Sequence, residues 1–126
     1  MADVAIAPQT AGVNLPDGVK WFTWTPLTTT NRTGAYIYTG QYSDITVQCY
    51  GTFGAAATVV IQGSNEIGTV SNPVTLTDPG MTAISFTAAG MESIMQSPMQ
   101  IRPSLADGDG STSITVVIKM CTASRR

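Results

Sequence analysis

Few side chains in this sequence are of the types that do acid-base, nucleophilic or metal chemistry. The chain of 126 residues contains no histidine, which removes the commonest general base, the usual zinc ligand and every dyad of histidine with serine or cysteine. Its two cysteines, Cys49 and Cys121, are far apart in the sequence and form no metal-binding motif. No glycine-rich phosphate-binding motif occurs. Any catalysis would therefore depend on carboxylates.

Acidic side chains are the remaining candidates, because a facing pair of carboxylates is enough for glycoside hydrolysis. The eight acids are Asp3, Asp17, Asp44, Glu66, Asp78, Glu92, Asp107 and Asp109. Most of them fall in predicted turns or at strand ends, where such side chains are solvated or bond the nearby backbone. A chain of this length also has little material for a cleft. We therefore predict that the protein is not an enzyme.

One acidic segment matches the opening of a calcium loop. Residues 107–110 read Asp-Gly-Asp-Gly, and a complete loop places a glutamate at its twelfth position. That position is occupied by Ile118. We therefore predict a hairpin turn at this segment, and no metal or cofactor for the chain.

Aromatic side chains offer a second kind of chemistry, which is binding through flat rings. Alternation along residues 20–26 places Phe22 and Trp24 on one face, as expected for core packing. This leaves Trp21, Tyr36 and Tyr38 as the candidates for an exposed interaction patch. The same rings would suit a carbohydrate-binding module, which stacks sugars on Trp and Tyr.

Short strands are the elements that must position these side chains. Thr, Val and Ile favour strands, and Gly and Pro are spread along the chain as turn signals. The clearest strand is 44–51, with Ile45, Val47 and Cys49 on one face. A glycine-containing loop then leads into a strand at 56–63, which predicts a hairpin. Residues 88–96 fit one helical turn, with Met91, Ile94 and Met95 on one side.

These patterns predict an all-β fold: an antiparallel β-sandwich, or jelly roll, of seven to eight short strands with at most one short helical turn. Residues 1–18 lack periodicity and predict an extended N-terminal arm, followed by a single domain at 19–126. Four apolar side chains in the arm are candidate contacts with a neighbouring subunit. They are Val4, Ile6, Val13 and Leu15.

Charge and composition restrict the partners of the chain. Charged residues make up 11% of it, and its six basic residues are scattered at a net charge of −2, which argues against nucleic acid as a partner. The sequence has no signal peptide pattern and no apolar run long enough for a membrane span. We therefore predict synthesis in a cytoplasm, with both thiols free.

Six fragments in the stretch from Gly51 to Lys119 carry a resemblance to a known group of proteins. They are Gly51-Thr52-Phe53-Gly54, residues 58–65, Leu76-Thr77-Asp78-Pro79, residues 88–92, Ile101-Arg102-Pro103 and Gly108-Asp109-Gly110-Ser111-Thr112. In this order, with the last strand, they resemble small proteins of tailed bacteriophages that are found with head genes. The resemblance covers just over half of the chain and excludes the arm.

The resemblance implies a head decoration or cement protein. Such a protein is a β-sandwich, often a homotrimer, which sits on the outside of the capsid at three-fold positions and clamps neighbouring major capsid proteins. The expected location is therefore the outer capsid surface of the virion, after synthesis in the host cytoplasm. The arm residues and the exposed aromatics are then capsid or subunit contacts. The alternative is a tail- or baseplate-associated β-sandwich, or a carbohydrate-binding module, used in host attachment.

Overall fold

The computed structural model describes residues 5–10, 15 and 17–122, and these residues form strands, turns and loops without any helix. The described residues contain ten strands. They are β1 Gln9–Thr10, β2 Val19–Leu27, β3 Ile37–Tyr38, β4 Tyr42–Thr52, β5 Thr58–Ser64, β6 Val74–Thr75, β7 Ser85–Phe86, β8 Gly90–Ile94, β9 Gln100–Ala106 and β10 Ser113–Thr122.

Two antiparallel sheets face each other across one core. Sheet 1 has the order β1-β2-β10-β4-β8. Sheet 2 has the order β3-β9-β5-β6, and β7 pairs with β5 on the same edge as β6. The antiparallel β-sandwich predicted from the sequence is thus confirmed.

The order of the strands is that of one long hairpin rolled up on itself. Four nested pairings form the hairpin: β2 with β10, β3 with β9, β4 with β8, and β5 with both β6 and β7. Two further pairings, β4 with β10 and β5 with β9, close it into two sheets. This is a jelly roll. The predicted seven to eight strands become ten because β6 and β7 share one position and β1 is added at an edge.

Alternating side chains of the long strands fill the space between the sheets. On β4 the inward set is Ile45, Val47 and Cys49, as the sequence predicts, and each is buried. The facing strand β5 contributes Val59 and Ile61, which are also buried. This core also includes Trp24, Leu27, Ile101, Ile114, Val116, Ile118 and Met120.

The helical turn predicted at residues 88–96 is wrong, because this segment contains the edge strand β8. The three side chains expected on one helical side are separated by the strand. Ile94 is buried, whereas Met91 is 62% exposed and Met95 is exposed as well. In so short a segment the spacing of apolar residues does not distinguish a helix from a strand, and pairing with β4 decides the outcome.

Both predicted hairpin turns are also wrong, since each loop crosses between the sheets. The loop that follows Gly51 and Thr52 leads from β4 in sheet 1 to β5 in sheet 2. The segment 107–110 leads from β9 in sheet 2 to β10 in sheet 1. Glycine and aspartate favour a reversal of the chain, but they do not determine which strand the chain pairs with afterwards.

Part of the predicted N-terminal arm packs on the domain. Ile6 forms a parallel bridge with Gly34, and its side chain packs against the core. The Ile6 N–H donates to the Thr33 carbonyl, and the Ala35 N–H donates to the Ile6 carbonyl. Leu15 is exposed. The predicted contacts Val4 and Val13 lie outside the described residues.

The two cysteines differ in burial, which makes their reactivity a test of this core. Cys49 lies in the core, and burial raises the pKa of its thiol to about 12, whereas Cys121 is half-buried and both are unpaired. We expect that in a Cys121→Ser variant a thiol reagent modifies Cys49 only as fast as the protein unfolds. In a Cys49→Ser variant the remaining thiol should react in the native state. Equal rates of modification of the two thiols would contradict the burial of Cys49 in the core.

Candidate interaction surfaces

The outer face of sheet 1, called face 1, extends across four strands and contains a depression lined by Trp21, Thr46, Gln48, Met91, Val117 and Lys119. The register places its side chains in rows that run from β2 through β10 and β4 to β8. One row is Trp21, Lys119, Thr46 and Ser93. The next row is Thr23, Val117, Gln48 and Met91.

Most side chains of face 1 are uncharged. Its charged members on β10 and β4 are Lys119 and Asp44, of opposite sign, and these strands otherwise present serine, threonine, glutamine, tyrosine, valine and Cys121 outward. Three threonines bond within the sheet: Thr25 and Thr115 share a hydroxyl hydrogen bond of 2.8 Å, and Thr23 donates to the Val116 carbonyl at 3.1 Å. Hydroxyls that are already bonded lose little when water is removed. Face 1 is therefore suited to a broad contact with low desolvation cost.

The outer face of sheet 2, called face 2, carries tyrosines and one arginine. Its first row is Tyr38, Gln100 and Ser64. Its second row is Tyr36, Arg102, Gln62 and Thr75. Its third row is Thr33, Ser104, Val60 and Ser85.

Arg102 is fixed in the middle of face 2. Its guanidinium lies over the Tyr36 ring, with Cζ 4.7 Å from the ring centroid. Its Nε donates a hydrogen bond of 2.8 Å to Oε1 of Gln62 on the neighbouring strand. Burial raises the pKa of Tyr36, and the Arg102 charge partly opposes that shift. The Tyr36 hydroxyl is buried without a hydrogen-bond partner among the described residues.

A loop organised by Glu66 borders face 2. The Glu66 carboxylate accepts hydrogen bonds from the backbone N–H groups of Ser71 and Asn72, each 2.9 Å, and from the Ser64 hydroxyl. These bonds, first among them the one from Asn72, lower the pKa of Glu66. The Gly68 N–H donates to the Tyr38 hydroxyl at 3.2 Å. The exposed Tyr38 ring is thereby held in place.

The predicted aromatic patch is divided between two surfaces. Trp21 is half-buried on face 1, whereas Tyr36 and Tyr38 lie on face 2 at the opposite side of the sandwich. The three side chains therefore do not form one patch. Sequence reasoning missed Arg102 and Met91 as surface residues of interest. Strand alternation indicates that Arg102 points outward, but it does not reveal Tyr36 as its neighbour.

Carboxylates and thiols come together at most in pairs, such as Asp44 and Cys121 on neighbouring strands, in the part of the chain that the structure describes. No group of three or more His, Cys, Asp or Glu side chains there is arranged to hold a metal ion. In residues 107–110, which match the opening of a calcium loop, Asp109 accepts hydrogen bonds from Ser111 and from the Ala55 N–H. These bonds, chiefly from the Ser111 hydroxyl, lower its pKa. Asp109 thus organises the connection from β9 to β10.

Within the described ranges, the protein has no helix of sufficient length and apolarity to cross a membrane. Comparisons of the chain with models of protein families, with curated proteins and with solved structures find no match.

Proposed function

We propose that the chain is a non-enzymatic structural protein that decorates the outside of a bacteriophage head and stabilises contacts between major capsid proteins. It acts as a homotrimer, and no cofactor takes part. The observation that carries the proposal is face 1, a broad and nearly uncharged sheet surface with Trp21 at one end and Met91 at the other. Trp, Tyr and Met are enriched at protein interfaces, where Asp and Glu are depleted.

The size of face 1 is compatible with a protein that acts in many copies. With strands about 4.8 Å apart and three to four outward rows, the face covers roughly 20 by 20 Å. That is about half of the ~800 Å² that each partner buries in a standard interface. One copy would therefore bind weakly through this face alone. Binding of many copies to the capsid lattice, and contacts made by the other subunits of the trimer, would supply the remaining affinity.

The jelly roll and the sequence fragments support the proposal at the level of architecture. Viral capsid proteins use jelly rolls, but so do lectins, and a fold alone does not specify a role. The fragments that resemble phage head proteins include Gly51-Thr52-Phe53-Gly54, at the crossing from sheet 1 to sheet 2, and Ile101-Arg102-Pro103, within β9. They favour a head protein over a lectin.

We expect the purified protein to have the solution mass of a trimer and to sediment with undecorated phage heads in saturable amounts. A Trp21→Ala variant should bind the heads at least about tenfold more weakly, because tryptophan is enriched among the residues that contribute most to binding at such interfaces. Met91→Ser, at the other end of face 1, should weaken binding as well. Light scattering measures the solution mass, and co-sedimentation measures binding to the heads.

Val74→Ala is the matched control, since Val74 is 63% exposed on the edge strand β6 of the other sheet. Its binding to heads should equal that of the unaltered protein. A monomer that does not sediment with heads would contradict the proposal. Glycan binding that is lost in Tyr38→Ala would then favour the attachment module, because the Tyr38 ring is 56% exposed and held in place.

A further inference from the structure

We propose that Arg102 is a carboxylate-binding residue, through which face 2 binds an aspartate or glutamate side chain of a partner protein. The inference deepens the proposed function, since it rests on that function for the identity of the partner, a capsid protein. It concerns a different surface from face 1 and a different chemistry.

The guanidinium of Arg102 is oriented before any partner binds. The Tyr36 ring covers one of its faces, and Gln62 accepts its Nε–H at 2.8 Å. Both neighbours come from adjacent positions in sheet 2, and Arg102 itself lies on β9, between β3 and β5. An arginine fixed in this way loses less side-chain entropy on binding than a free one.

The two terminal amino groups of Arg102 are available to a ligand. Nε is the donor used within the chain, and the terminal groups make no hydrogen bond or ion pair with the described residues. The buried atoms without partners in that part of the chain do not include them. The paired N–H groups of an arginine match the two oxygens of a carboxylate in a bidentate bond. The remaining donors therefore suit a carboxylate as the ligand, and phosphate, which pairs with arginine in the same way, is the alternative that the titration below tests.

The surroundings of Arg102 favour an acidic partner over a neutral one. The other side chains of its row are Tyr36, Gln62 and Thr75, so Arg102 is the sole charge of that row. The rows on either side contain tyrosine, glutamine, serine, threonine and valine. An arginine among tyrosines and small polar residues is the composition of binding hot spots and paratopes. An acidic side chain complements the charge of Arg102, since the Glu66 carboxylate, whose charge also acts on Tyr36, is bonded to Ser64, Ser71 and Asn72 instead.

A protein side chain is the source of the carboxylate to which this inference commits, because it rests on a capsid protein as the partner. The Tyr36 ring offers no stacking surface for a sugar on the side that the guanidinium covers. The Tyr36 hydroxyl is buried, so it does not reach a ligand in solution. The exposed Tyr38 ring on the same face leaves an acidic sugar as the alternative, which the glucuronate titration below tests.

The test is an NMR titration of the full chain with sodium propionate at constant ionic strength. Propionate carries the carboxylate of an acidic side chain, and propionamide is its neutral counterpart. We expect saturable shifts of the Arg102 Nε–H and Tyr36 ring signals with propionate, and no such shifts with propionamide. Arg102→Gln should abolish the Tyr36 shifts. Arg102→Lys, which keeps the charge but lacks the paired donors, should weaken binding at least about fivefold.

Lys119→Gln removes a cation from face 1 and should leave the propionate titration unchanged. Tyr36 shifts that persist in Arg102→Gln would overturn the inference, as would equal shifts with propionamide. Glucuronate or phosphate that binds tenfold more tightly than propionate would also overturn it, in favour of an acidic glycan or a phosphate group.

Co-sedimentation with phage heads separates this inference from the proposed function. Arg102→Gln should bind heads about tenfold more weakly than the unaltered protein. Undiminished binding would overturn the assignment of face 2 to a capsid carboxylate. If the unaltered protein does not bind heads, the proposed function fails, and the propionate titration still decides whether Arg102 binds carboxylates.

Discussion

Replacing Trp24 by alanine is expected to lower the free energy of unfolding by about 3–5 kcal/mol, the range observed for large-to-small changes of buried aromatic residues. Trp24 is fully buried, and its indole Nε1 donates a hydrogen bond of 3.1 Å to the Ala35 carbonyl. The indole also lies against Gly34, where any Cβ would meet the ring. The variant would therefore leave a cavity and an unpaired carbonyl. Urea unfolding followed by circular dichroism measures the change.

Trp21→Ala is the control for this prediction, because it removes the same side chain from the outer face of the same strand. Trp21 is half-buried, and we expect its loss to change stability by less than about 1 kcal/mol. Trp24→Phe should give an intermediate loss, since it fills part of the cavity but cannot bond to Ala35. Equal losses of stability in Trp21→Ala and Trp24→Ala would contradict the placement of Trp24 on the inner face and Trp21 on the outer face of β2.

A Gly51→Ala substitution is expected to destabilise the protein by about 2–5 kcal/mol. Gly51 has a φ of +128°, a conformation that side chains rarely adopt. An added Cβ would also meet the Ser113 carbonyl oxygen and lie 3.1 Å from the Ile114 Cα, both of them backbone atoms of β10. The backbone of a central strand cannot move aside without loss of its pairings. The costs of backbone strain and of overpacking therefore add up in the loss of stability. Thermal or urea unfolding measures the loss.

Gly110→Ala provides the matched comparison. A Cβ at Gly110 meets no atom within 4 Å, so the same substitution there should leave stability within about 0.5 kcal/mol of the unaltered protein. A tolerated Gly51→Ala would contradict the close pairing of β4 with β10. The contrast tests backbone geometry, whereas the tryptophan pair tests side-chain packing.

The fold class could be predicted from the sequence because its signals are local. The alternation of Ile45, Val47 and Cys49 specifies both the strand β4 and its buried face, and the structure confirms both. The same reasoning failed at β8, where Ile94 is buried and Met91 is not. There the decisive interaction is pairing with β4, which is distant in sequence. Turn residues likewise marked where the chain reverses without indicating which sheet it enters.

The candidate surfaces were less predictable, since they depend on register between distant strands. Alternation places Trp21 and Trp24 on opposite faces of β2, and the packing of Trp24 against Gly34 determines which of them is inside. The neighbours of Arg102 are Tyr36, directly before β3, and Gln62 in β5, both far away in the chain. No local pattern links these residues. The sequence alone therefore does not distinguish Arg102 from other strand residues.

The position of β10 has a consequence for how the chain is made. β10 fills the gap between β2 and β4 in sheet 1, yet both of its partners precede it by a long stretch of chain. At a synthesis rate of ~5–20 residues per second, β2 and β4 wait several seconds on the ribosome before β10 appears. During that delay the backbone edges of β2 and β4 that pair with β10 are open. Sheet 1, and with it the core that Ile114, Val116 and Ile118 complete, should therefore close only after translation of β10.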